Sequence, residues 1–293
     1  MLFINKLSWQ IIKRGSRDFV IGKEASMSGA IDKTLGILEF LAARPQGAEL
    51  SEIADSLNQS RSGCHRTLVE LARYGYVRQA RQGDYRLTTK LPAMGLNYLS
   101  RSGIVDIAQP SLRRLADMTG ELVRLAVLDG ERLTLMAKAQ GANSGLLYDP
   151  DMGIELQLSC SAAGHAWLMT IPDEEAIKLV GRQGFGDPRD FGPNAPTTIP
   201  DLLSMLAEHR QRGFALIRDV YAPGMSSMSA AVQRRGEPAT AFVVVAGPSI
   251  RLSAERLMGF GADMLATAGE LALLANASPL LESRSGGTWG NRG

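Results

Sequence analysis

Residues 60–77 read SRSGCHRTLVELARYGYV, and this stretch decides how the first third of the chain folds. Its apolar residues recur three or four positions apart, which is the spacing of one face of an α-helix. The residues of that face are Cys64, Leu68, Leu71 and Ala72. Ser60 is a residue type that caps helix N-termini, and a glycine such as Gly75 is typical just beyond a helix end. The pattern therefore predicts one helix with one buried face.

The opposite side of this predicted helix carries hydrogen-bond donors. They are Arg61, Ser62, His65 and Arg66, with no acid to pair them before Glu70. Recognition helices enter the major groove of DNA with their N-terminal residues first, and arginine there can pair bidentately with guanine. The alternative interpretation is an ordinary solvated helix face with stray basic residues. The flanking segments decide between the two.

Those flanks have the order helix, short helix, tight turn, helix, hairpin, which is the order of a winged helix-turn-helix. The first helix is predicted to start after Ser28 and to end near Arg44-Pro45, with Ile31, Leu35, Leu38, Leu41 and Ala42 on its inner face. The second is predicted to be capped by Ser51 and to bury Ile53, Ala54 and Leu57. Residues 76–79 and 85–88 read as two short strands around a turn at Gly83.

The charge distribution agrees with a DNA-binding role for this part of the chain. Residues 1–90 hold fourteen Lys and Arg against nine Asp and Glu, whereas the remainder holds eighteen against twenty-one, so the net charge of +2 hides a basic N-terminal third. A basic region favours an anionic partner, and basic residues in a wing can follow the DNA backbone or the minor groove. The predicted DNA-binding residues are Lys33, Ser51, Ser60, Arg61, Ser62, His65, Arg66, Arg78, Arg81 and Arg86.

The rest of the chain has an α+β character. Residues 91–106 read as a linker helix whose apolar residues favour a partner: Leu91, Met94, Leu96, Tyr98 and Leu99. Strands are predicted at 122–128, 132–139, 214–221, 226–233 and 240–246, and helices at 107–119, 161–171, 173–181, 200–212 and 253–276. Because these do not alternate as βαβ units, an antiparallel sheet with helices packed on it is expected.

The predicted domain organisation has five parts. They are an N-terminal arm at 1–27, a winged helix-turn-helix at 28–90, the linker helix at 91–106, an α+β domain at 107–281 and a disordered tail at 282–293. The arm reads as a flexible tail or as translated upstream sequence before Met27, with a basic segment that touches nucleic acid as the alternative.

Several classes of protein are disfavoured by the sequence. Cys64 and Cys160 lie far apart without metal-ligand spacing, which fits a cytoplasmic location. No apolar run approaches the roughly 18–20 residues of a membrane span. Three histidines, no nucleophile elbow and no phosphate-binding glycine loop argue against an enzyme, and no cofactor is predicted. His165 is expected to have either a structural role or a ligand contact, and the sequence leaves both open.

The stretch LSEIADSLNQSRSGCHRTLVELARYGYV, followed by YRLT, resembles the DNA-binding domain of the IclR family of bacterial transcription regulators. The resemblance continues through SCSAAGHAWL, RGFALIRDVYAPGMSSMSAAV and GEPATAFVVVAGPSIRL, and covers about 250 residues. It implies a winged helix-turn-helix, a linker helix and a GAF-like effector domain. It also implies a dimer or tetramer that binds palindromic operators.

The resemblance further implies an effector pocket. Its predicted residues are Leu146, Tyr148, Leu156, Ser161, Ala162, Ala163, Ile217, Asp219, Ser227, Ser229, Val244 and Ala246. Ile217, Val244 and Ala246 stand where members of the family often have polar groups, so an aromatic or longer-chain acid is expected to fit better than a small oxoacid. Ser227, Ser229 and backbone N–H groups are expected to hold its carboxylate. The rival hypothesis is a constitutive DNA-binding or scaffolding protein whose second domain only forms oligomers.

Overall fold

The computed structural model describes residues 29–80, 83–143, 148 and 152–282. These residues divide into two compact units, with the boundary between Arg101 and Ser102. The predicted N-terminal arm, Arg81, Leu146 and the tail beyond residue 282 lie outside the described residues.

The first unit has the element order of a winged helix-turn-helix. Its elements are α1 (Ala30–Ala42), α2 (Leu50–Ser56), α3 (Arg61–Arg73), β1 (Val77–Gln79), β2 (Tyr85–Leu87) and α4 (Lys90–Ser102). The strands pair antiparallel, and Ala48 adds a bridge to Tyr85 that ties the segment before α2 to the wing. Helices α1, α2 and α3 pack around one apolar core. Four of its side chains are inaccessible to solvent: Ile37, Ile53, Cys64 and Leu68.

Two local predictions for this unit were wrong. Helix α1 buries Gly36, Ile37, Phe40 and Leu41, whereas Ile31 and Leu35 are 74% and 49% exposed. The helix has apolar residues on two sides, and periodicity alone cannot tell which side meets α2 and α3. Ser51 does not cap α2, because the N-cap is Glu49 and the Ser51 hydroxyl donates to the Glu49 carboxylate at 3.4 Å.

The second unit is an antiparallel five-stranded sheet with helices packed on it, which confirms the predicted fold class. Its strands are β3 (Leu122–Asp129), β4 (Arg132–Gln140), β5 (Ala215–Arg218), β6 (Met225–Val232) and β7 (Ala241–Pro248), in the spatial order β4-β3-β7-β6-β5. Its helices are α5 (Ile104–Thr119), α6 (Ala162–Leu168), α7 (Asp173–Gln183), α8 (Ile199–Arg212), α9 (Ala254–Gly259) and α10 (Gly261–Leu273).

The central strand β7 is buried along its whole length because both faces of the sheet are covered. Helices α5 and α10 contact each other and the sheet, and α6 contacts β5, β6 and β7. Side chains alternate between the faces of a strand, so one register row on the α6 side contains Arg124, Val244 and Ser229, and the next contains Leu122, Ala246, Ser227 and Ile217.

Several element boundaries differ from the sequence prediction, and three of them have a clear local reason. The linker helix does not run to residue 106, because Gly103 takes a left-handed conformation at φ 67° and separates α4 from α5. The strand predicted at 214–221 ends at Arg218, because Asp219 has φ 54°. The helix predicted at 253–276 is broken at Phe260, and a side chain at Gly261 would collide with the Phe214 ring.

The start of α6 depends on a close backbone approach. Gly164 lies against the backbone of Leu158, where an added Cβ would overlap the Leu158 carbonyl, and its N–H donates to the Ser161 hydroxyl at 3.1 Å. Gly181 in α7 differs, because a Cβ added there meets nothing within 4 Å. Packing therefore requires glycine at position 164, whereas position 181 can accept a side chain, so the two positions can be compared by the same substitution.

Gly164→Ala is expected to destabilise the protein by roughly 1–3 kcal/mol through overpacking, and Gly181→Ala to stabilise it by up to about 1 kcal/mol through helix propensity. Urea unfolding monitored by circular dichroism measures both. Equal effects of the two substitutions would contradict the close approach at Gly164.

Candidate functional site

Helix α3 begins with a capped N-terminus. The Ser60 hydroxyl accepts the Gly63 N–H at 3.2 Å, and a Cβ on Gly63 would lie 2.9 Å from that hydroxyl oxygen. The small residue at position 63 therefore leaves room for the cap. Below it, Cys64, Leu68 and Leu71 are buried in the core of the unit and fix the rotation of the helix.

The rotation of α3 leaves its first two turns exposed on one side. Arg61, Ser62, His65 and Arg66 are all exposed. Glu70, the first acid of the helix, pairs with Arg73 at 2.8 Å, one turn further on. Among the described residues, no carboxylate forms an ion pair with Arg61 or Arg66, so this end of the helix presents uncompensated positive charge.

The other predicted DNA-binding residues differ in availability. Lys33 on α1 and Ser51 on α2 are partly exposed, and Arg78 on β1 is exposed. Arg86, opposite Arg78 in the wing, is half-buried: its side chain packs over Gly47 and lies 3.7 Å from the Asp84 carboxylate. Arg78 is therefore more accessible to a phosphate group of DNA than Arg86 is.

The second unit contains a cavity on the α6 side of the sheet, with about 440 Å³ of free space counted out to its opening. Its walls come from strands β3 to β7, the segment before α6 and the start of α6. The lining residues are Arg124, Leu135, Tyr148, Leu156, Ser161, Ala162, Ala163, Ile217, Tyr221, Met225, Ser226, Ser227, Val244 and Ala246. Most of this surface is apolar, as is common in small-molecule sites.

Nine of the twelve residues predicted for an effector pocket line this cavity: Tyr148, Leu156, Ser161, Ala162, Ala163, Ile217, Ser227, Val244 and Ala246. Leu146 lies outside the described residues. Asp219 does not line it, because its carboxylate accepts the Gly224 N–H and holds the turn between β5 and β6. Ser229 is fully buried further along β6, and no described residue forms a hydrogen bond with its hydroxyl.

Sequence reasoning missed five lining residues, of which Arg124 matters most. It is only 6% exposed, and its Nε atom is buried without a hydrogen-bond partner among the residues that the structure describes. Its guanidinium lies 5.6 Å from the centre of the Tyr148 ring. Burial raises the pKa of Tyr148 above its usual value, so its hydroxyl stays protonated. The signal was present in the sequence, since Arg124 is the lone charge within the apolar stretch LVRLAVL.

The three serines of the cavity are already engaged in hydrogen bonds. Ser227 donates to the Val245 carbonyl at 2.9 Å, and Ser226 shares a hydrogen bond of 2.8 Å with Ser249. Ser161 accepts from Gly164 and keeps its own proton free. Ser227 therefore has no proton for a ligand, contrary to the role expected from the sequence.

A series of hydrogen bonds joins the segment before α6, α6 itself and α8. The His165 Nε2 atom is 2.7 Å from the Ser159 carbonyl oxygen, and its Nδ1 atom is 3.1 Å from the His209 Nε2 atom. The His209 Nδ1 atom is 3.3 Å from an Arg212 Nη1 atom. His165 does not line the cavity, so of the two roles left open for it the structure supports the structural one.

The partners of the two rings determine which nitrogen atoms donate and which accept. A carbonyl can only accept, so His165 Nε2 carries a proton, and His165 Nδ1 then accepts from His209 Nε2. Arginine can only donate, so His209 Nδ1 accepts. Both rings are thus neutral. Burial lowers the pKa of His165 to about 4, and burial with the neighbouring His165 and Arg212 lowers the pKa of His209 to about 3.

In the described part of the chain, no group of three or more His, Cys, Asp or Glu side chains is arranged to hold a metal ion. No described helix combines the length and the apolar character needed to cross a membrane.

Comparison with known proteins matches two stretches of the chain. Residues 30–81 match the family model described as the IclR helix-turn-helix domain, and residues 96–273 match the one described as the bacterial transcriptional regulator IclR C-terminal domain. The chain belongs to the IclR family. Like its relatives in that family, it is a transcription regulator with a helix-turn-helix domain that implies DNA binding, and it is not an enzyme.

Two curated IclR-family relatives align along almost their whole length. The HTH-type transcriptional regulator BhcR of Paracoccus denitrificans is 30% identical over 270 residues, covering 90% of this chain and 95% of BhcR. The transcriptional repressor IclR of Escherichia coli K12 is 26% identical over 265 residues, covering 89% of this chain and 95% of the repressor.

A solved IclR homologue from Microbacterium hydrocarbonoxydans, complexed with 4-hydroxybenzoate, has the same fold. Its TM-score is 0.67 at 18% identity, and the alignment covers 84% of this chain and 98% of the homologue.

The neutral histidine pair predicts a loss of stability in mild acid. Between pH 6.5 and 4 the two histidines become protonated in the unfolded chain but stay neutral in the folded protein. The free energy of unfolding is therefore highest above pH 6.5 and falls as the pH is lowered. His165 alone contributes a loss of roughly 3 kcal/mol by pH 4. His209→Gln keeps a donor for His165 and removes one titrating group, so it should lose less stability than wild type over this range. Urea unfolding at pH 7 and 4.5 measures the difference.

His65→Gln is the control for this experiment, because His65 is exposed on α3 and its substitution should leave the pH dependence unchanged. If His209→Gln and wild type lose the same stability between the two pH values, the histidine pair is not the source of the acid sensitivity.

Proposed function

We propose that this IclR-family regulator is ligand-responsive. In this proposal it binds a palindromic operator in the cytoplasm as a dimer or tetramer and senses a small organic acid, aromatic acids included. The observation that carries the proposal is one chain that combines an uncompensated basic helix N-terminus with a largely apolar cavity in a separate unit.

Operator binding is assigned to the exposed start of α3 and to the wing. Arg61 and Arg66 are the leading candidates for base contacts, because both are exposed and have no carboxylate partner among the described residues. Ser60, Ser62, His65 and Arg78 would contribute contacts to bases or phosphates, and Lys33, Ser51, Arg81 and Arg86 phosphate contacts.

Self-association is supported by apolar surface on the first unit. On α4, Met94, Leu96 and Tyr98 are 52%, 67% and 55% exposed, and on α1 Ile31 and Leu35 are exposed as well. Apolar patches of this kind are typical of protein interfaces. A palindrome requires a reader with two-fold symmetry, which a second copy of the chain provides.

Arg61→Ala and Arg66→Ala are each expected to weaken operator binding by roughly 1–3 kcal/mol. The DNA would be a fragment selected by the wild-type protein from a random pool, and fluorescence anisotropy would give the affinity. Arg73→Ala is the matched control, since Arg73 belongs to the same helix but is neutralised by Glu70 at its far end. Wild-type affinity in the double variant, or a complex with one chain per fragment, would contradict the proposal.

The effector is assigned to the cavity beside α6. The apolar side chains of Leu135, Leu156, Ile217 and Val244 suit an aromatic ring or an alkyl chain better than a two- or three-carbon oxoacid. The Microbacterium homologue with 4-hydroxybenzoate gives an aromatic acid as a precedent within the same fold.

A ligand response distinguishes this proposal from a constitutive DNA-binding or scaffolding protein. An acid that binds should raise the melting temperature in proportion to RT ln(1 + [L]/Kd) and change operator affinity by about 5- to 150-fold. Ser227→Leu, which narrows the cavity, should reduce both effects. The panel would compare aromatic and longer-chain acids with glyoxylate and pyruvate. Tighter binding of the two small oxoacids would contradict the assigned polarity, and no response to any acid would favour the constitutive alternative.

A further inference from the structure

The cavity contains one cation without a counter-ion among the described residues. Arg124 is 6% exposed and lines the cavity; Tyr148 is its neighbour there, and no described group accepts a hydrogen bond from its Nε atom. No described carboxylate forms an ion pair with it. The nearest acid in sequence, Glu121, is engaged in a two-pronged ion pair with Arg251.

An unpaired buried guanidinium is energetically costly, because it has left water without gaining a counter-ion. Arginines of this kind are found where a planar anion such as a carboxylate binds, since the guanidinium offers two parallel N–H donors to it. The Tyr148 ring beside the guanidinium adds a cation–π contact that orients it. The charge is therefore held in place for a partner that the described protein does not supply.

The other polar groups of the cavity are uncharged and cannot neutralise an anion. Ser227 uses its hydroxyl proton within the protein, and Ser161 retains a free one. Arg124 is the single cationic side chain among the lining residues. The cavity thus has the charge to neutralise one carboxylate and not two.

We propose that Arg124 binds the carboxylate of the effector, and that the effector is a monocarboxylate whose remaining atoms are apolar or aromatic. This inference rests on the proposed ligand response and adds the anchoring residue and the class of ligand. The body of the ligand lies against Leu135, Leu156, Ile217 and Val244, and Ser161 is free to donate a second hydrogen bond to the carboxylate or to a ring substituent. A second carboxylate would be desolvated without a cation, so dicarboxylates bind less well.

The test combines ligand-free stability with matched ligands. Arg124→Met keeps the apolar stem and removes the charge, Arg124→Lys keeps a charge without the planar donor pair, and Arg132→Met removes an exposed arginine from the adjacent strand, where it pairs with Glu155. The probes are benzoate, 4-hydroxybenzoate, phenylacetate and hexanoate, each with its primary amide, and adipate as the dicarboxylate. Melting temperature and titration calorimetry measure binding, and anisotropy measures operator release.

Three results are expected. Without ligand, Arg124→Met melts at or above the wild-type temperature, because an unpaired buried charge has been removed. At least one monocarboxylate binds wild type more tightly than its amide or adipate, and Arg124→Met weakens that binding roughly 10- to 150-fold, with Arg124→Lys in between. Arg132→Met binds like wild type.

The opposite results overturn the inference in distinguishable ways. If Arg124→Met melts well below wild type, an acid of the chain already neutralises Arg124 and the residue is structural. If the acids bind Arg124→Met as tightly as wild type, or the amides bind wild type as tightly as the acids, the carboxylate anchor is wrong while the ligand response stands. If no probe binds wild type or alters operator binding, the monocarboxylate assignment falls together with the proposed acid response.

Discussion

The pairing of β3 with β7 in the middle of the five-stranded sheet is the constraint on which the effector unit depends. Helices cover both faces of this pair, so every side chain on the two strands is buried except at the far end of β3. Buried polar groups must then find partners or remain costly. The sheet accommodates Arg124 because the adjacent α6 begins with alanine and glycine residues that leave free space over that register row.

The same small residues explain why the cavity lies where it does. Gly164 brings the start of α6 against the backbone of Leu158, which a larger residue would prevent. The hydrogen bond between His165 and His209 ties this helix to α8. The helix is thus held by backbone contact and by a polar network, and the space beside it is a consequence of its composition and not of loose packing.

In the DNA-binding unit, the arrangement of charge pairs is more informative than the count of charges. Arg44, Arg73 and Arg86 have acidic partners at Glu52, Glu70 and Asp84. The arginines at the start of α3 have none among the described residues. Neutralised arginines support the local structure, and unpaired ones leave a positive field at the N-terminus of the recognition helix, which the helix dipole reinforces.

Much of this could be predicted from sequence, and the exceptions share one physical cause. The winged helix-turn-helix followed from local periodicity and capping, and nine pocket residues from a family resemblance carried by short motifs. The inner face of α1, Arg124 and the pairing of His165 with His209 were missed, because each depends on contacts between residues that are distant in sequence. Periodicity shows which sides of a helix are apolar but not which other elements those sides contact. A lone arginine in a strand does not show which face of the sheet it lies on.

The burial of two of the three histidines has a practical consequence. His165 and His209 are 0% and 2% exposed, whereas His65 is exposed at the start of α3. A histidine-selective acylating reagent thus meets a single accessible imidazole in the native protein, and it lies on the helix assigned to DNA. The extent to which the His65 imidazole is acylated therefore reports how much of this helix surface is covered by bound DNA, and the measurement needs no label on the wild-type protein.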